Sequence, residues 1–236
     1  MGLHKAFVLL SGGIDSSTVA AIARHQFPCD DIECVTVDYG QRHIREMDCA
    51  LYQAEQIEAN HSTLRIPGLL TGMLVEKGDD NQEIPNADYA DLPEGISPTY
   101  VSFRNGTMLS LLAAKAQSWV MEQQQEHDEV SATLYCGVHA DDAARDAYPD
   151  CTLEFIGAMA SAIQIGTYGK VRLRAPIVAL EKSAVIEWGE KLRVNYGRTW
   201  SCYVGDDLHC GVCPTCRARK TAFEQAGVTD PTAYEA

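Results

Sequence analysis

Leu9-Leu10-Ser11-Gly12-Gly13-Ile14-Asp15-Ser16-Ser17 is the stretch of sequence that decides the fold. The apolar run at residues 6–10 is typical of a buried parallel strand, and residues 18–23 after the loop have apolar side chains at helical spacing. Glycines let backbone amides approach an anion closely, and the helix directs its first N–H groups and its dipole at the same place. The stretch therefore predicts a strand, a phosphate-binding loop and a helix.

A simple strand-to-helix turn, in which Asp15 or Ser16 only caps the helix, could also contain a glycine pair. The complete S-G-G-x-D-S string directly after a buried strand favours the phosphate site instead. The string lacks the Gly-Lys-Ser/Thr ending of a Walker A loop.

The loop resembles the PP-loop of the ATP pyrophosphatase superfamily, whose members split ATP between the α and β phosphates to adenylate a substrate. This resemblance implies that ATP with Mg²⁺ is the cosubstrate and that Asp15 assists at the metal–pyrophosphate end. Ligands in such folds bind at strand C-termini, so the end of the second strand should also contact the nucleotide. The residues expected to bind it are Leu10, Ser11, Gly12, Gly13, Ile14, Asp15, Ser16, Ser17, Thr18, Val37, Asp38, Tyr39 and Arg42.

The pattern of strand followed by helix repeats along the chain. Further strands are predicted at residues 34–37, 63–66, 132–136 and 171–174, and helices at 46–59, 105–122, 153–164 and 183–192. This alternation predicts an α/β fold with a doubly wound, mainly parallel sheet and helices on both faces, and the loop's resemblance implies the adenine nucleotide alpha hydrolase-like type. Residues 1–195 are expected to form this domain and residues 196–236 a small C-terminal metal-binding segment. Residues 67–98, rich in Gly, Pro, Asn and Asp, are expected to form a functional loop or lid.

Composition restricts the classes of function. The 236 residues carry a net charge of −14, which opposes nonspecific binding to nucleic acid and favours a small-molecule substrate. The short apolar run near the N-terminus is too short for a membrane span or an export signal, so a cytoplasmic location is expected. The nine cysteines then favour thiols or metal ligands over disulfides.

Four cysteines near the C-terminus have the spacing of a metal site. Cys202, Cys210, Cys213 and Cys216 form C-x7-C-x2-C-x2-C, which suits a tetrahedral, structural Zn²⁺. A redox pair and an iron–sulfur cluster are the rival interpretations, and His209 could replace one ligand. The remaining cysteines, which are scattered, are expected mostly to be buried apolar residues: Cys29, Cys34, Cys49, Cys136 and Cys151.

Four further strings occur in a fixed order with the loop and the cysteines: Asp38-Tyr39-Gly40-Gln41-Arg42-His43, Phe103-Arg104-Asn105-Gly106, Ala147-Tyr148-Pro149-Asp150-Cys151 and Thr199-Trp200-Ser201-Cys202-Tyr203. Together they resemble the 7-cyano-7-deazaguanine synthase family over nearly the whole chain. The resemblance implies conversion of 7-carboxy-7-deazaguanine to the nitrile with ammonia and ATP, through an adenylated acid and an adenylated amide, in queuosine and related pathways. A homodimer is plausible for the family.

The chemistry needs no nucleophilic side chain, so positioning and charge neutralisation should dominate. The candidate catalytic residues are Asp15, Arg104, Asp150 and Lys182. Arg104 and Lys182, like Arg42, are expected to face the triphosphate or the carboxylate. Asp150 is expected to pair with the guanine-like edge of the substrate. His43 and His139 could move protons or be structural. Three carboxylates could hold Mg²⁺ but are expected to be solvated: Asp141, Asp142 and Asp146.

The chain departs from the more familiar family members in two strings. The familiar members carry Pro-Ala/Gly-Arg-Asn where this chain has Ser102-Phe103-Arg104-Asn105. They carry Phe-Ser-Gly-Tyr-Pro-Asp-Cys-Arg where this chain has residues 144–152. An enzyme that stops at the amide or attaches the deazaguanine to another acceptor is therefore an alternative. A tRNA-modifying PP-loop enzyme would need a basic extension that this acidic chain lacks, and a zinc-bearing interaction module leaves the phosphate loop unexplained.

Overall fold

The centre of the fold is a parallel β-sheet. The computed structural model describes residues 2–26, 31–41, 45–75, 84, 97–144 and 147–235. Within these residues the sheet has five strands in the order β3-β2-β1-β4-β5, and every neighbouring pair is parallel. The strands are β1 (Leu3–Leu9), β2 (Asp31–Asp38), β3 (Asn60–Arg65), β4 (Val130–Tyr135) and β5 (Val171–Arg174).

Helices cover both faces of the sheet. They are α1 (Ile14–Gln26), α2 (Arg45–Gln56), α3 (Arg104–Gln123), α4 (Ala140–Ala143), α5 (Leu153–Gly166), α6 (Lys182–Lys191) and α7 (Pro214–Gln225), with 3₁₀ turns at Pro149–Cys151 and Tyr196–Arg198. In the described part of the chain, no helix combines the length and the apolar character that crossing a membrane requires.

Alternate residues of the strands build two separate cores. On one face, Ala6 and Val8 of β1 pack in a buried cluster with α1, α6 and α7, whose Phe223 is buried there. On the other face, Phe7 and Leu134 pack in a second cluster with α3 and α5. Burial of both faces explains the nearly continuous apolar character of the central strands and confirms the predicted doubly wound fold.

The order of the strands creates a crevice beside the Ser-Gly-Gly loop. The chain runs outward from β1 to β2 and β3, then crosses to the other side of β1 to form β4 and β5. The loop after β1 therefore lies at the point where the direction of winding reverses, which is where open α/β sheets bind ligands. Gly137, just after β4, packs so closely that a Cβ there would lie 2.9 Å from the Ser16 nitrogen.

The predicted strands and helices lie at the right places, with ends that differ by a few residues, whereas α4 and α7 were not predicted. The predicted lid at 67–98 falls partly on residues 76–83 and 85–96, which lie outside the described residues; before them, Leu70, Leu74 and Val75 pack against Tyr39. The boundary between residues 195 and 196 stays a prediction. Across it, Tyr196 and Phe223 share the buried cluster of α1 and α6.

Candidate active site and metal centre

The Ser-Gly-Gly loop is folded as an anion cradle at the start of α1. Ser16 Oγ accepts a hydrogen bond from the Ser11 backbone N–H at 3.2 Å and lies 3.0 Å from Ser11 Oγ. The Ser17 N–H donates to the Gly13 carbonyl. The first N–H groups of α1, which have no partner in the preceding turn of the helix, are left to face an anion together with the positive end of the helix dipole.

Gly12 is required at its position for two reasons. Its φ is +83°, and a Cβ would overlap the Glu46 backbone oxygen and lie 2.7 Å from the Ala50 nitrogen. Since L side chains avoid this conformation and this space, the loop can lie against α2 only with glycine there.

A network of charges lies at one end of the loop. Lys182 Nζ donates to Asp15 Oδ2 at 2.9 Å and lies 3.3 Å from His139 Nε2, which also lies 3.3 Å from Asp142 Oδ2. Burial opposes ionisation of Asp15, but Lys182 and His139 outweigh it and hold the pKa of Asp15 below its usual value. Burial also opposes the charge on Lys182. The negative charges of Asp15 and Asp142 outweigh the effect of burial and raise the pKa of Lys182. At neutral pH both are therefore ionised.

Two buried atoms of this network lack a hydrogen-bond partner in the described chain, namely Asp15 Oδ1 and His139 Nδ1. An unpaired carboxylate oxygen beside a phosphate-binding loop fits a ligand of Mg²⁺, which in proteins is held by one or two carboxylates together with substrate phosphates. Asp141 has a different role, because its Oδ2 accepts the Lys182 backbone N–H and so caps α6.

A single cavity of about 850 Å³ joins the loop to the other predicted polar groups. This volume lies within the range of small-molecule sites. Eight of the residues that were predicted to bind the nucleotide line it, as do both predicted catalytic cations: Leu10, Ser11, Gly13, Ile14, Asp15, Ser16, Val37, Tyr39, Arg104 and Lys182. Gly12, Ser17, Thr18 and Asp38 do not line it, and Arg42, His43 and Asp146 lie outside the described residues.

Three of the predicted residues that do not line the cavity are buried or bonded elsewhere in the structure. Thr18 is fully buried, where its hydroxyl donates to the Ile14 carbonyl and contacts the Tyr196 hydroxyl at 2.8 Å. Asp38 accepts the Gly40 N–H at 3.1 Å and lies 3.6 Å from the Arg65 Nε. Ser17 Oγ is buried without a partner in the described chain.

Arg104, at the start of α3, is another charged residue of the cavity wall. Phe103 before it adopts a left-handed conformation (φ 50°) and packs on Phe155, with ring centroids 5.7 Å apart. Burial disfavours the charge on Arg104, but the Tyr39 and Tyr203 hydroxyls, with Tyr39 in hydrogen-bond contact, raise its pKa. A fixed guanidinium in this position can bind a carboxylate or phosphate of a ligand.

Asp150 occupies a different place from the one expected. It is only 3% exposed, does not line the cavity, and its Oδ2 accepts the Asn105 backbone N–H at 2.9 Å. The Asn105 side-chain amide in turn lies 3.2 Å from Cys151 Sγ. The carboxylate thus caps the first turn of α3 and orients the residues next to Arg104.

The four C-terminal cysteines converge as the spacing predicted. Their sulfur atoms lie within 4.8 Å of one another, with Cys202 Sγ and Cys213 Sγ 4.0 Å apart. Tetrahedral coordination with Zn–S bonds of about 2.3 Å requires separations of about 3.8 Å. The Gly205 and Cys210 backbone N–H groups donate to Cys202 Sγ at 3.0 and 3.3 Å, which favours the thiolate. The cluster can therefore hold a metal ion.

His209 supports this cluster without belonging to it. Its Nε2 accepts the Ser201 N–H at 3.2 Å, and its ring packs on Trp200. Burial, reinforced by Arg219, lowers the pKa of His209 to about 4, so it is neutral.

The segment that carries the four cysteines is hydrogen-bonded to the Ser-Gly-Gly loop. The Trp200 N–H donates to the Gly12 carbonyl at 2.9 Å. Behind it, the fully buried Arg219 donates to the Tyr196 carbonyl at 2.9 Å and to Thr199 Oγ1 at 2.8 Å, and it pairs with Asp230 at 3.2 Å.

Comparison with known proteins identifies the family. The family described as "Queuosine biosynthesis protein QueC" matches residues 5–227. This chain belongs to the QueC family.

Relatives in this family are similar along their whole length. The 7-cyano-7-deazaguanine synthase 1 of Colwellia psychrerythraea is 34% identical over 232 residues, which cover 98% of this chain and 99% of that protein. The 7-cyano-7-deazaguanine synthase of Thermoplasma acidophilum is 38% identical over 245 residues, covering 100% and 94%. Among solved structures, a predicted subunit of tRNA methyltransferase from Methanocaldococcus jannaschii has a TM-score of 0.48 at 14% identity, covering 97% of this chain and 91% of that one. This last similarity is too distant to bear on function.

Several cavity residues of this QueC family member were not singled out from the sequence for a role in the site. They are Glu46, Asn105, Tyr203, Thr215 and Arg217. Glu46 follows the predicted Tyr39-Gly40-Gln41-Arg42-His43 string by three residues, and its position in the first turn of a helix after a strand was a usable signal. Thr215 and Arg217 could not be found this way, because only the tertiary packing of α7 brings them to the cavity.

Proposed function

We propose that this chain is an ATP-dependent 7-cyano-7-deazaguanine synthase, a ligase that converts 7-carboxy-7-deazaguanine and ammonia to the nitrile through adenylated acid and amide intermediates. The observation that carries the proposal is the cavity that is lined both by the Ser-Gly-Gly loop and by Arg104, in a chain of the QueC family. The relatives that are named for this activity match nearly all of the chain.

At the nucleotide end, the first N–H groups of α1 and the Ser11 and Ser16 hydroxyls bind the phosphates of ATP. Lys182 is charged and lies beside Asp15, so it can neutralise the negative charge that pyrophosphate gains as it leaves. Asp15 fixes the direction of the Lys182 ammonium group. The substrate oxygen attacks the α phosphate, which forms the adenylate and releases pyrophosphate.

At the acceptor end, Arg104 binds the carboxylate of the deazaguanine and directs it toward the loop. The cap that Asp150 provides for α3 keeps the guanidinium in place, so Asp150 is a positioning residue in this scheme. After ammonia has displaced AMP, the amide oxygen occupies the place of the carboxylate oxygen and is adenylated in turn. One loop thus serves both activations, and catalysis rests on orientation and charge.

Two metal ions complete the proposal. The four thiolates of Cys202, Cys210, Cys213 and Cys216 would hold a structural Zn²⁺, which leaves no open position for chemistry. The free Oδ1 of Asp15 would bind Mg²⁺ that arrives with ATP and supplies further neutralisation of the phosphates.

A second copy of the chain is the partner that the surface supports. The exposed side of α5 carries Leu153 and Ile165, and Tyr168 follows two residues after the end of the helix; Ile165 and Tyr168 are 80% and 89% exposed, and Glu154 is the only charged residue of α5. A charge of −14 makes two copies repel each other elsewhere, while an uncharged helix face permits a two-fold contact. Ile165→Asp should lower the mass in sedimentation velocity, whereas Leu51→Asp, an exposed apolar residue of α2, should not.

The location and the absence of a nucleic-acid partner also stay proposals. None of the eight described cysteines forms a disulfide, as is usual in the reducing cytoplasm, and the charge of −14 opposes RNA binding. An electrophoretic shift with bulk tRNA at moderate salt would contradict the second statement.

The test of the activity is to incubate the purified protein with 7-carboxy-7-deazaguanine, ammonium and Mg-ATP and to follow the products by mass spectrometry. The amide should form first and the nitrile second, with AMP and pyrophosphate. Lys182→Met should lower kcat by about 10²–10³-fold, as removal of one transition-state donor does. Lys170→Met is the matched control, because Lys170 lies in another cleft near β5. Formation of neither amide, nitrile nor AMP by the wild type would refute the proposal.

A further inference from the structure

Glu46 is an acidic side chain in the cavity wall to which the scheme above gives no role. It lies in the first turn of α2, which packs so closely on the phosphate loop that a Cβ on Gly12 would overlap its backbone oxygen. Its side chain lines the same cavity as Arg104 and the loop, where the substrate is adenylated in this scheme.

The Glu46 carboxylate has no direct partner. It makes no hydrogen bond or ion pair within the described ranges, although Arg104 acts on it electrostatically. The groups that face it are Arg104 from α3, Tyr39 from the end of β2 and Cys49 from its own helix. Burial raises its pKa to about 7, because the distant Arg104 offsets only part of the desolvation. The side chain is half-buried, and an unpaired carboxylate with little access to water is costly to keep, so a ligand that pairs with it would be bound well.

The reaction needs a group of this kind at this place. Ammonia is mostly ammonium at neutral pH, and ammonium has no free electron pair with which to attack. The later conversion of the adenylated amide to the nitrile also requires that the nitrogen lose its remaining protons. A base with a pKa near the working pH serves such steps best.

We propose that Glu46 is the ammonium site and the catalytic base of both halves of the reaction, an inference that rests on the proposed function. The carboxylate takes a proton from ammonium, the nitrogen electron pair forms the C–N bond at the acyl carbon, and the C–O bond to AMP breaks with its electrons leaving on AMP. The second proton that nitrogen sheds passes to solvent. In the second half, Glu46 takes the N–H proton of the adenylated imidate as the C–O bond to AMP breaks and the nitrile forms.

Comparison of two nucleophiles tests this role. Hydroxylamine is largely uncharged at neutral pH and attacks acyl adenylates without a base. Glu46→Gln should lower amide formation from ammonium by about 10²–10⁴-fold, the usual contribution of a general base, while hydroxamate formation and pyrophosphate release change little. Glu55→Gln, on the exposed side of the same helix, should leave both reactions unchanged.

An equal loss with both nucleophiles, or no loss with ammonium, would overturn the inference, since a residue that only shapes the pocket does not distinguish them. If Glu46→Gln does not fold, Glu46→Asp replaces it in the test. The aspartate carboxylate is one methylene farther from the ammonium. This variant should therefore raise the KM for ammonium and lower the rate with ammonium, but not the rate with hydroxylamine. Equal effects of Glu46→Asp on both nucleophiles would also overturn it. A wild-type protein that makes neither amide nor hydroxamate would instead refute the proposed function.

Discussion

Replacement of Arg219 by methionine should destabilise the protein by about 3–5 kcal/mol, the usual cost of removing one partner of a buried ion pair. The Arg219 side chain is 0% exposed and donates to Asp230, Thr199 and the Tyr196 carbonyl. Methionine fills much of the volume but provides no donor, so the Asp230 carboxylate loses its cationic partner, and Thr199 Oγ1 and the Tyr196 carbonyl each lose one hydrogen bond.

This loss is large enough to measure in two ways. Since each 1.4 kcal/mol is a factor of ten, 3 kcal/mol raises the unfolded fraction by about 10²-fold. For a chain of this size, a loss of 3–5 kcal/mol lowers the melting temperature by roughly 6–20 °C. Removal of both charges in Arg219→Met/Asp230→Asn should recover part of the stability, because no uncompensated carboxylate then remains.

Urea denaturation followed by tryptophan fluorescence would give these free energies, since Trp200 lies next to the network. Arg172→Met is the control, because Arg172 is exposed and no described residue pairs with its side chain; it should change stability by about 0.5 kcal/mol at most. A loss below about 1 kcal/mol for Arg219→Met, or a double variant less stable than the single one, would refute the reasoning.

Three further outcomes follow from the site. Gly12→Ala should abolish the thermal stabilisation by Mg-ATP, because the loop must move away from α2, whereas Gly166→Ala, with open space around it, should retain it. Chelation of the metal or Cys213→Ser should lower the melting temperature and also weaken ATP binding in calorimetry; unchanged ATP affinity would contradict the link through Trp200. The folded-state pKa of Glu46 lies above its unfolded value, so its contribution to stability is present below pH 4.5 and is lost as the pH rises through about 7. The wild type should therefore lose up to about 3 kcal/mol relative to Glu46→Gln between pH 4.5 and 8, measured by denaturation at each pH; a flat difference would contradict the raised pKa.

The fold could be predicted because its signals are local. The apolar run before Ser11 and the cysteine spacing after residue 201 each specify a structure within a few residues. Helix and strand ends were less certain, since caps decide them: α1 begins at Ile14, slightly before the expected start near Asp15 or Ser16, because the loop itself forms its first turn.

The site was predictable only where a residue adjoins such a local signal. Asp15 and Lys182 meet at 2.9 Å, although 167 positions separate them, because both follow strands that end at the same edge. Asp150 shows the limit of this reasoning. Its string could be recognised, but whether the carboxylate faces a ligand or caps α3 depends on packing between α3 and the 3₁₀ turn, which no sequence pattern encodes.

The hydrogen bond from Trp200 to Gly12 has a consequence for how the protein acquires its activity during synthesis. The Ser-Gly-Gly loop leaves the ribosome well before the segment that holds it in place, because Trp200 follows Gly12 by almost two hundred residues. Contacts this distant in sequence form late in folding. A nascent chain should therefore gain affinity for ATP only after the segment that carries Trp200 has emerged and docked on the loop.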